Sequence, residues 1–209
     1  LTAHHADDAA ETLLIHLLRG TGLEGLGGLA WQNERLVRPL LGFSRSELSA
    51  YAETHGLCWR EDASNAHDDY LRNRLRHQVL PLLDGEHGQA TANLARAAAR
   101  LKESDQALRA AAEKLLEALA FCEQSPTRLA FVPYAFTTYP LGLRVALYRA
   151  LVRRLLGPDL FGFYETHWLQ IDHALCAKTP QAPLKLPRRL LLKRDKGEIV
   201  LSLTLDALE

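Results

Sequence analysis

His4-His5-Ala6-Asp7-Asp8-Ala9-Ala10-Glu11-Thr12 decides how this chain is read, because it sets two imidazoles and three carboxylates at the start of an apolar stripe. Ala9, Ala10, Leu13, Leu14, Leu17 and Leu18 recur at helical spacing and predict a helix over residues 6–19. On that helix His4, Asp8 and Glu11 share one face. A neutral imidazole beside two ionised carboxylates can hold a divalent metal, orient an amine nucleophile or accept its proton. The same acids would complement the positive end of a helix macrodipole in any protein, so spacing alone leaves both readings open.

Composition bounds what lies around this helix. The chain has 209 residues, 47% of them hydrophobic, enough for one large or two small units with real cores. It has 25 basic and 25 acidic residues, so any case for a nucleic-acid partner has to be local. Cys58, Cys122 and Cys176 are distant, odd in number and without a CxxC pair, which argues against a zinc ribbon or disulfide framework and for a reducing cytoplasm. No apolar run approaches the roughly 20 residues that span a bilayer, and no basic-then-apolar leader is visible. A first residue Leu1 and the lack of any methionine lead us to expect a piece of a longer protein.

Gly20-Thr21-Gly22-Leu23-Glu24-Gly25 matches GxGxxG, but it follows a helix where the dinucleotide fingerprint needs a preceding strand. Its glycines are expected to end the helix, with Gly27 and Gly28 extending a flexible loop. Residues 36–41, broken by Pro39, read as an edge strand or extended loop. Ser44-Arg45-Ser46-Glu47 is a capping box opening a helix that Gly56 closes. Leu57-Cys58-Trp59 reads as a short strand leading into the Asx-rich turn Glu61-Asp62-Ala63-Ser64-Asn65.

A second dense segment is Arg72-Asn73-Arg74-Leu75-Arg76-His77, followed by Val79-Leu80-Pro81-Leu82-Leu83. As a helix it sets Arg72 and Arg76 on one stripe and offers Leu75, Val79 and Leu82 to a core. The cations can bind phosphates, or form a solvated face paired with Glu61, Asp62, Asp68 and Asp69.

Together these segments resemble the tRNA(Ile)-lysidine synthetases, within the N-type ATP pyrophosphatase (PP-loop) superfamily. HHADDAAETLLIHLLRGTGLEGLGGL, the RPLL of 38–41, the EDASN of 61–65 and RNRLRHQVLPLL of 72–83 occur there in the same order and at similar spacing. The diagnostic match covers residues 1 to about 83. The resemblance implies ATP-dependent adenylation of C2 of the wobble cytidine in a tRNA(Ile) with a CAU anticodon. The ε-amino group of L-lysine then displaces AMP. It further implies that His4, Asp8 and Glu11 are catalytic, that Asp8 and Glu11 hold Mg2+ or lysine, and that Arg72, Asn73, Arg74, Arg76 and, less directly, Arg19 bind ATP or tRNA phosphates. A homodimer is left open.

One departure is large. These enzymes carry an SGGxDS loop roughly a hundred residues before the HHxDD helix, whose amides cradle pyrophosphate, and no SGG occurs here. The chain as given is therefore expected to be an N-terminally truncated fragment, binding ATP poorly and inactive alone. A second departure is Ala3, where the family commonly has glycine.

The fold expected is an α/β remnant of a parallel-sheet PP-loop ATPase domain over 1–84, a linking helix over 85–120, and a mainly helical α+β domain over 121–209 ending in a β-hairpin. Leu94, Leu101, Leu108, Leu115 and Leu119 form the near-heptad stripe of the long helix. Pro126, Pro133 and Pro140 suggest a loop-rich passage, and helices follow over 141–156 and 164–177. Arg144, Arg149, Arg153 and Arg154 could track an RNA backbone or form an ordinary solvated face. His167 and His173 do not share a face, so they do not suggest a metal pair. Residues 190–203, with Asp195-Lys196-Gly197 at the turn, predict the hairpin. Two other functions fit parts of this pattern: a non-catalytic RNA-binding module, and a metal-dependent phosphohydrolase using His4, His5, Asp7 and Asp8.

Overall fold

Capping and glycine chemistry set the first helix. The computed structural model describes residues 1–33, 36–59, 71–119, 121–177 and 182–204, without the side chains of 121–124. Helix α1 (Ala6–Leu18) starts where the extended residue His5 donates its N–H to Asp8 Oδ2 at 2.9 Å. It stops before Gly20, whose φ of 66° is the left-handed conformation that glycine tolerates. Ala9, Ala10 and Leu13 are buried on its inner face, together with Asp8 and Glu11. The one-turn helix α2 (Leu23–Leu26) follows, tied to α1 by His16 Nδ1 and the Gly25 carbonyl.

Two expectations for the next segment change. Gly27 is not part of a flexible loop: it is buried, and a Cβ there would lie 2.8 Å from Lys102 Cα, so the missing side chain is what permits close packing. Strands β1 (Gln32–Asn33) and β2 (Leu36–Val37) form a two-residue antiparallel ladder, and parallel strands are absent among the described residues. Helix α3 (Arg45–Thr54) has the expected reciprocal cap: Glu47 N–H donates to Ser44 Oγ at 3.2 Å, and Ser44 N–H to Glu47 Oε2 at 2.7 Å. Residues 57–59 form no strand, with Leu57 and Trp59 exposed, since a strand needs a ladder partner. The EDASN segment and Asp68 and Asp69 lie outside the described residues.

Pro81 governs the second motif. Helix α4 (Leu71–Arg74) passes into a π-turn (Leu75–Val79) and then into α5 (Leu80–His87). Leu80 N–H bonds the Leu75 carbonyl, five residues back. Proline has no N–H and its ring crowds the preceding turn, so a widened turn is a low-cost way through. The extra residue shifts the helical phase. Leu75 and Leu80 are buried, while Val79 and Leu82, expected in the core, are 37% and 66% exposed.

Helix α6 (Ala90–Ala118) is the long helix expected. Its most buried positions are Ala98, Asp105, Ala112 and Leu116, and Leu108, Leu115 and Leu119 of the predicted stripe are only partly buried beside them. The chain divides within this helix into two compact units, Leu1–Asp105 and Gln106–Glu209.

The second unit holds a five-stranded antiparallel sheet in the order β3-β4-β7-β6-β5, formed by β3 (Phe121–Ser125), β4 (Arg128–Phe131), β5 (Leu184–Leu186), β6 (Leu190–Asp195) and β7 (Glu198–Leu203). The hairpin β6–β7 appears as expected, turning through Lys196 and Gly197 with φ of 48° and 91°. The proline-marked passage is not mainly loop. Leu129 and Phe131 alternate inward on β4, which pairs with both β3 and β7, and α7 (Tyr134–Thr137) follows. Helices α8 (Leu141–Leu156) and α9 (Glu165–Cys176) pack on the sheet's inner face around Tyr148, Trp168 and Ile171.

Candidate functional site

The carboxylates of α1 and the arginines of the second motif meet. Glu11 is fully buried: Arg72 Nε donates to its Oε2 at 2.6 Å, and Arg76 Nε to its Oε1 at 2.6 Å. Asp8 Oδ1 accepts from Arg72 Nη2 at 3.0 Å and Arg76 Nη2 at 3.2 Å. Residues eleven and eight positions into the chain are thus joined to a segment more than sixty positions later, with |i−j| of 61 for Arg72 to Glu11. Among the described residues, the arginine stripe points at these two carboxylates, two positive charges facing two negative ones. The Glu11 carboxylate beside it raises the pKa of Arg76 further.

Of the two histidines, it is His5 that adjoins the carboxylates of α1. His4 lies outside α1, its Nδ1 3.0 Å from Thr2 Oγ1. His5 instead adjoins the carboxylates, with its ring nitrogens 3.4 Å from Asp7 and 3.5 Å from Asp8. A helix cap must adopt an extended conformation, so the helical wheel could not be continued back to His4. Asp7 accepts the backbone N–H of Arg45 at 2.9 Å and so bonds the first turn of α3. The adjacent His5 imidazole, and then the Arg45 amide, hold the Asp7 carboxyl below its ordinary pKa against the opposing effect of burial. His5, Asp7, Glu11, Arg45, Arg76 and Asp84 line a cavity of about 130 Å³. Only the capping pattern at Ser44 hinted that α3 would begin beside this site.

The remaining expected site residues are Arg19, Asn73 and Arg74. Arg19 caps the far end of α1, eleven residues from Asp8, about 16 Å along the axis. Asn73 and Arg74 sit on α4 between the stripe residues, turned about 100° and 200° from Arg72.

The donor set tests the magnesium reading. Every oxygen of Asp8 and Glu11 already accepts a hydrogen bond: Asp8 Oδ2 from His5 N–H, Asp8 Oδ1 and Glu11 Oε2 from both arginines, and Glu11 Oε1 from Arg76. Coordination by Glu11, or by Asp8 Oδ1, would compete with a guanidinium, and only Asp8 Oδ2 is clear of the arginines, so the two carboxylates do not together fit a metal. Among the described residues no group of three or more His, Cys, Asp or Glu is placed to hold one, which also disfavours the phosphohydrolase reading.

The arginines of α8 make internal contacts. Arg144 forks onto Asp172 at 2.7 and 2.9 Å, Arg149 meets Glu165 at 3.4 Å and lies 5.4 Å from the Trp168 ring centroid, and Arg154 meets Glu113 at 3.7 Å. No helix among the described residues is long and apolar enough to cross a membrane.

Residues 1–83 match the PP-loop domain, and this part of the chain belongs to that family. Beyond it, the chain is a homologue of proteins named tRNA(Ile)-lysidine synthase. The one from Geobacter sulfurreducens is 36% identical over 201 residues, 94% of this chain and 42% of the relative. That from Pseudomonas fluorescens is 54% identical over 108 residues, 50% of this chain and 24% of the relative, and that from Escherichia coli O157:H7 is 40% identical over 161 residues, 75% and 35%. The chain therefore spans between about a quarter and two fifths of the length of these relatives.

Proposed function

We propose that this chain is part of an enzyme that ligates L-lysine to C2 of the wobble cytidine of tRNA(Ile) with a CAU anticodon, giving lysidine. What carries the reading is that similarity to tRNA(Ile)-lysidine synthase extends over 94% of the chain, beyond the PP-loop residues. The cytidine O2 attacks the α-phosphorus of ATP, and pyrophosphate leaves. The lysine ε-nitrogen then attacks C2, AMP departs with that oxygen, and the amine loses its proton.

The Asp8–Glu11–Arg72–Arg76 cluster supports this reading through exchange of partners. Guanidinium forks suit phosphate as well as carboxylate. A phosphate arriving at Arg72 or Arg76 frees an oxygen of Asp8 or Glu11 for the lysine ammonium or its proton, with charge conserved across the site. His4 contacts the adenylated cytidine or its phosphate, while Arg19, Asn73 and Arg74 hold tRNA phosphates around it. Mg2+, if bound, would supply positive charge to the nucleotide's phosphates, and Asp8 and Glu11 would act without holding it. The setting is a cytoplasm, where tRNA, ATP and free lysine are available.

The test is ATP-dependent incorporation of labelled lysine into a tRNA(Ile) transcript by the complete open reading frame that carries these residues. Incorporation that disappears with Asp8→Asn or Glu11→Gln supports the proposal. Full incorporation by Asp8→Asn removes the carboxylates from it, and no incorporation by the unaltered protein overturns it.

A further inference from the structure

The loop between α8 and α9 exposes aromatic rings from a stiff frame. Phe161 is 81% and Tyr164 68% exposed, although burying such rings is among the more favourable contributions a side chain can make. Their backbone is held in place: Phe161 N–H donates to Asp159 Oδ1 at 2.9 Å, and Phe163 N–H to the Leu160 carbonyl at 3.1 Å. Gly162 turns at φ of 88°. Phe163 points the other way and stacks on buried Trp168, with ring centroids 4.9 Å apart. A loop that packs Phe163 inward, half-buried, while presenting Phe161 and Tyr164 is preorganised for contact, which lowers the entropic cost of binding.

Arginines lie beside these rings, together with the acids Asp159, whose carboxylate accepts the Phe161 N–H, and Glu165, which is paired with Arg149. Arg188 anchors the loop from below, donating from Nη1 to the Asp159 carbonyl at 2.6 Å. Arg188 and Arg189 are both exposed and both in the left-handed conformation, at φ of 56° and 62°, a strain that two adjacent non-glycine residues retain only where surrounding contacts impose it. Arg149 lies behind Tyr164, over Trp168 and against Glu165. Aromatic faces beside guanidinium groups are what unpaired nucleotides require, stacking for the base and cations for the phosphate. An apolar protein partner would use the rings but gain nothing from the arginines.

We propose that Phe161 and Tyr164 form a stacking platform for unpaired nucleotides of a tRNA, with Arg188 and Arg189 facing its backbone. The inference rests on tRNA being the substrate. It is tested by binding of the full chain to a tRNA(Ile) transcript, measured by filter retention, for the unaltered protein and for Phe161→Ala, Tyr164→Ala and Phe161→Trp. The alanine variants are expected to weaken binding about 5- to 100-fold each, while Phe161→Trp keeps the affinity and has its fluorescence quenched by RNA. Both rings are exposed, so the variants should fold, and an unchanged thermal transition checks this. Unchanged RNA affinity in folded alanine variants overturns the platform while leaving tRNA as substrate. Unchanged RNA affinity with lost self-association in light scattering assigns the rings to a protein contact and also overturns it. Failure of the unaltered chain to bind any tRNA overturns both readings.

Discussion

Arg76 Nε donates to Glu11 Oε1 across 2.6 Å, joining side chains sixty-five positions apart, and Glu11 is wholly removed from solvent. A carboxylate in that setting is tolerated because two guanidiniums answer it, and removing one side leaves a buried charge without its partner.

Glu11→Ala is accordingly expected to destabilise the first unit by about 3–5 kcal/mol, read as a lower urea midpoint. Glu11→Gln with Arg76→Gln should cost less than the sum of the two single changes, with a coupling of about 1–3 kcal/mol in a double-mutant cycle. Additive effects would show that the two side chains do not interact in solution.

Asp7 links α1 to α3 as a charged group. Its pKa is depressed, so the folded state binds its proton less readily than the unfolded chain does, and the resulting stability is present above its ordinary value of 3.8 and lost as pH falls through the lower folded value. The stability gap between the unaltered protein and Asp7→Asn should therefore be full at neutral pH and narrow below about pH 4. A gap constant from pH 7 to pH 2.5 in chemical denaturation contradicts the assignment.

Gly27 is specified by close packing. Gly27→Ala places a methyl group 2.8 Å from the Lys102 Cα, a backbone atom with little room to yield, and should cost about 1–3 kcal/mol. Gly42→Ala, where a Cβ meets nothing within 4 Å, is the control and should change the melting temperature little.

In the second unit, Tyr148 donates its hydroxyl to Asp172 Oδ1 at 2.8 Å, and Arg144 holds the same carboxylate through two bonds. Tyr148→Phe should cost about 1 kcal/mol, the worth of one hydrogen bond. Asp172→Ala should cost more, about 2–4 kcal/mol, because it strands both donors. Burial and the neighbouring carboxylate also raise the phenol pKa, so Tyr148 should stay un-ionised in an alkaline absorbance titration at pH 10, where an exposed tyrosine is half ionised.

Local chemistry was sufficient for much of this fold. Alternating or helical apolar spacing, the Ser44–Glu47 cap, the Gly20 and Gly157 stops and the Lys196-Gly197 turn all act over a few residues, so α1, α3, α6, α8, α9 and the β6–β7 hairpin could be placed from order alone. The acids of α1 and the arginines of α4 and the π-turn were equally plain as residue types. Their pairing was not, since it depends on contacts across more than sixty residues and on a π-turn that rephases the helix at Pro81. The packing role of Gly27 and the inward turn of Leu129 and Phe131 likewise arose from neighbours distant in sequence. Short-range preferences are written in adjacent residues, whereas partnership between charges is decided only when the core brings their helices together.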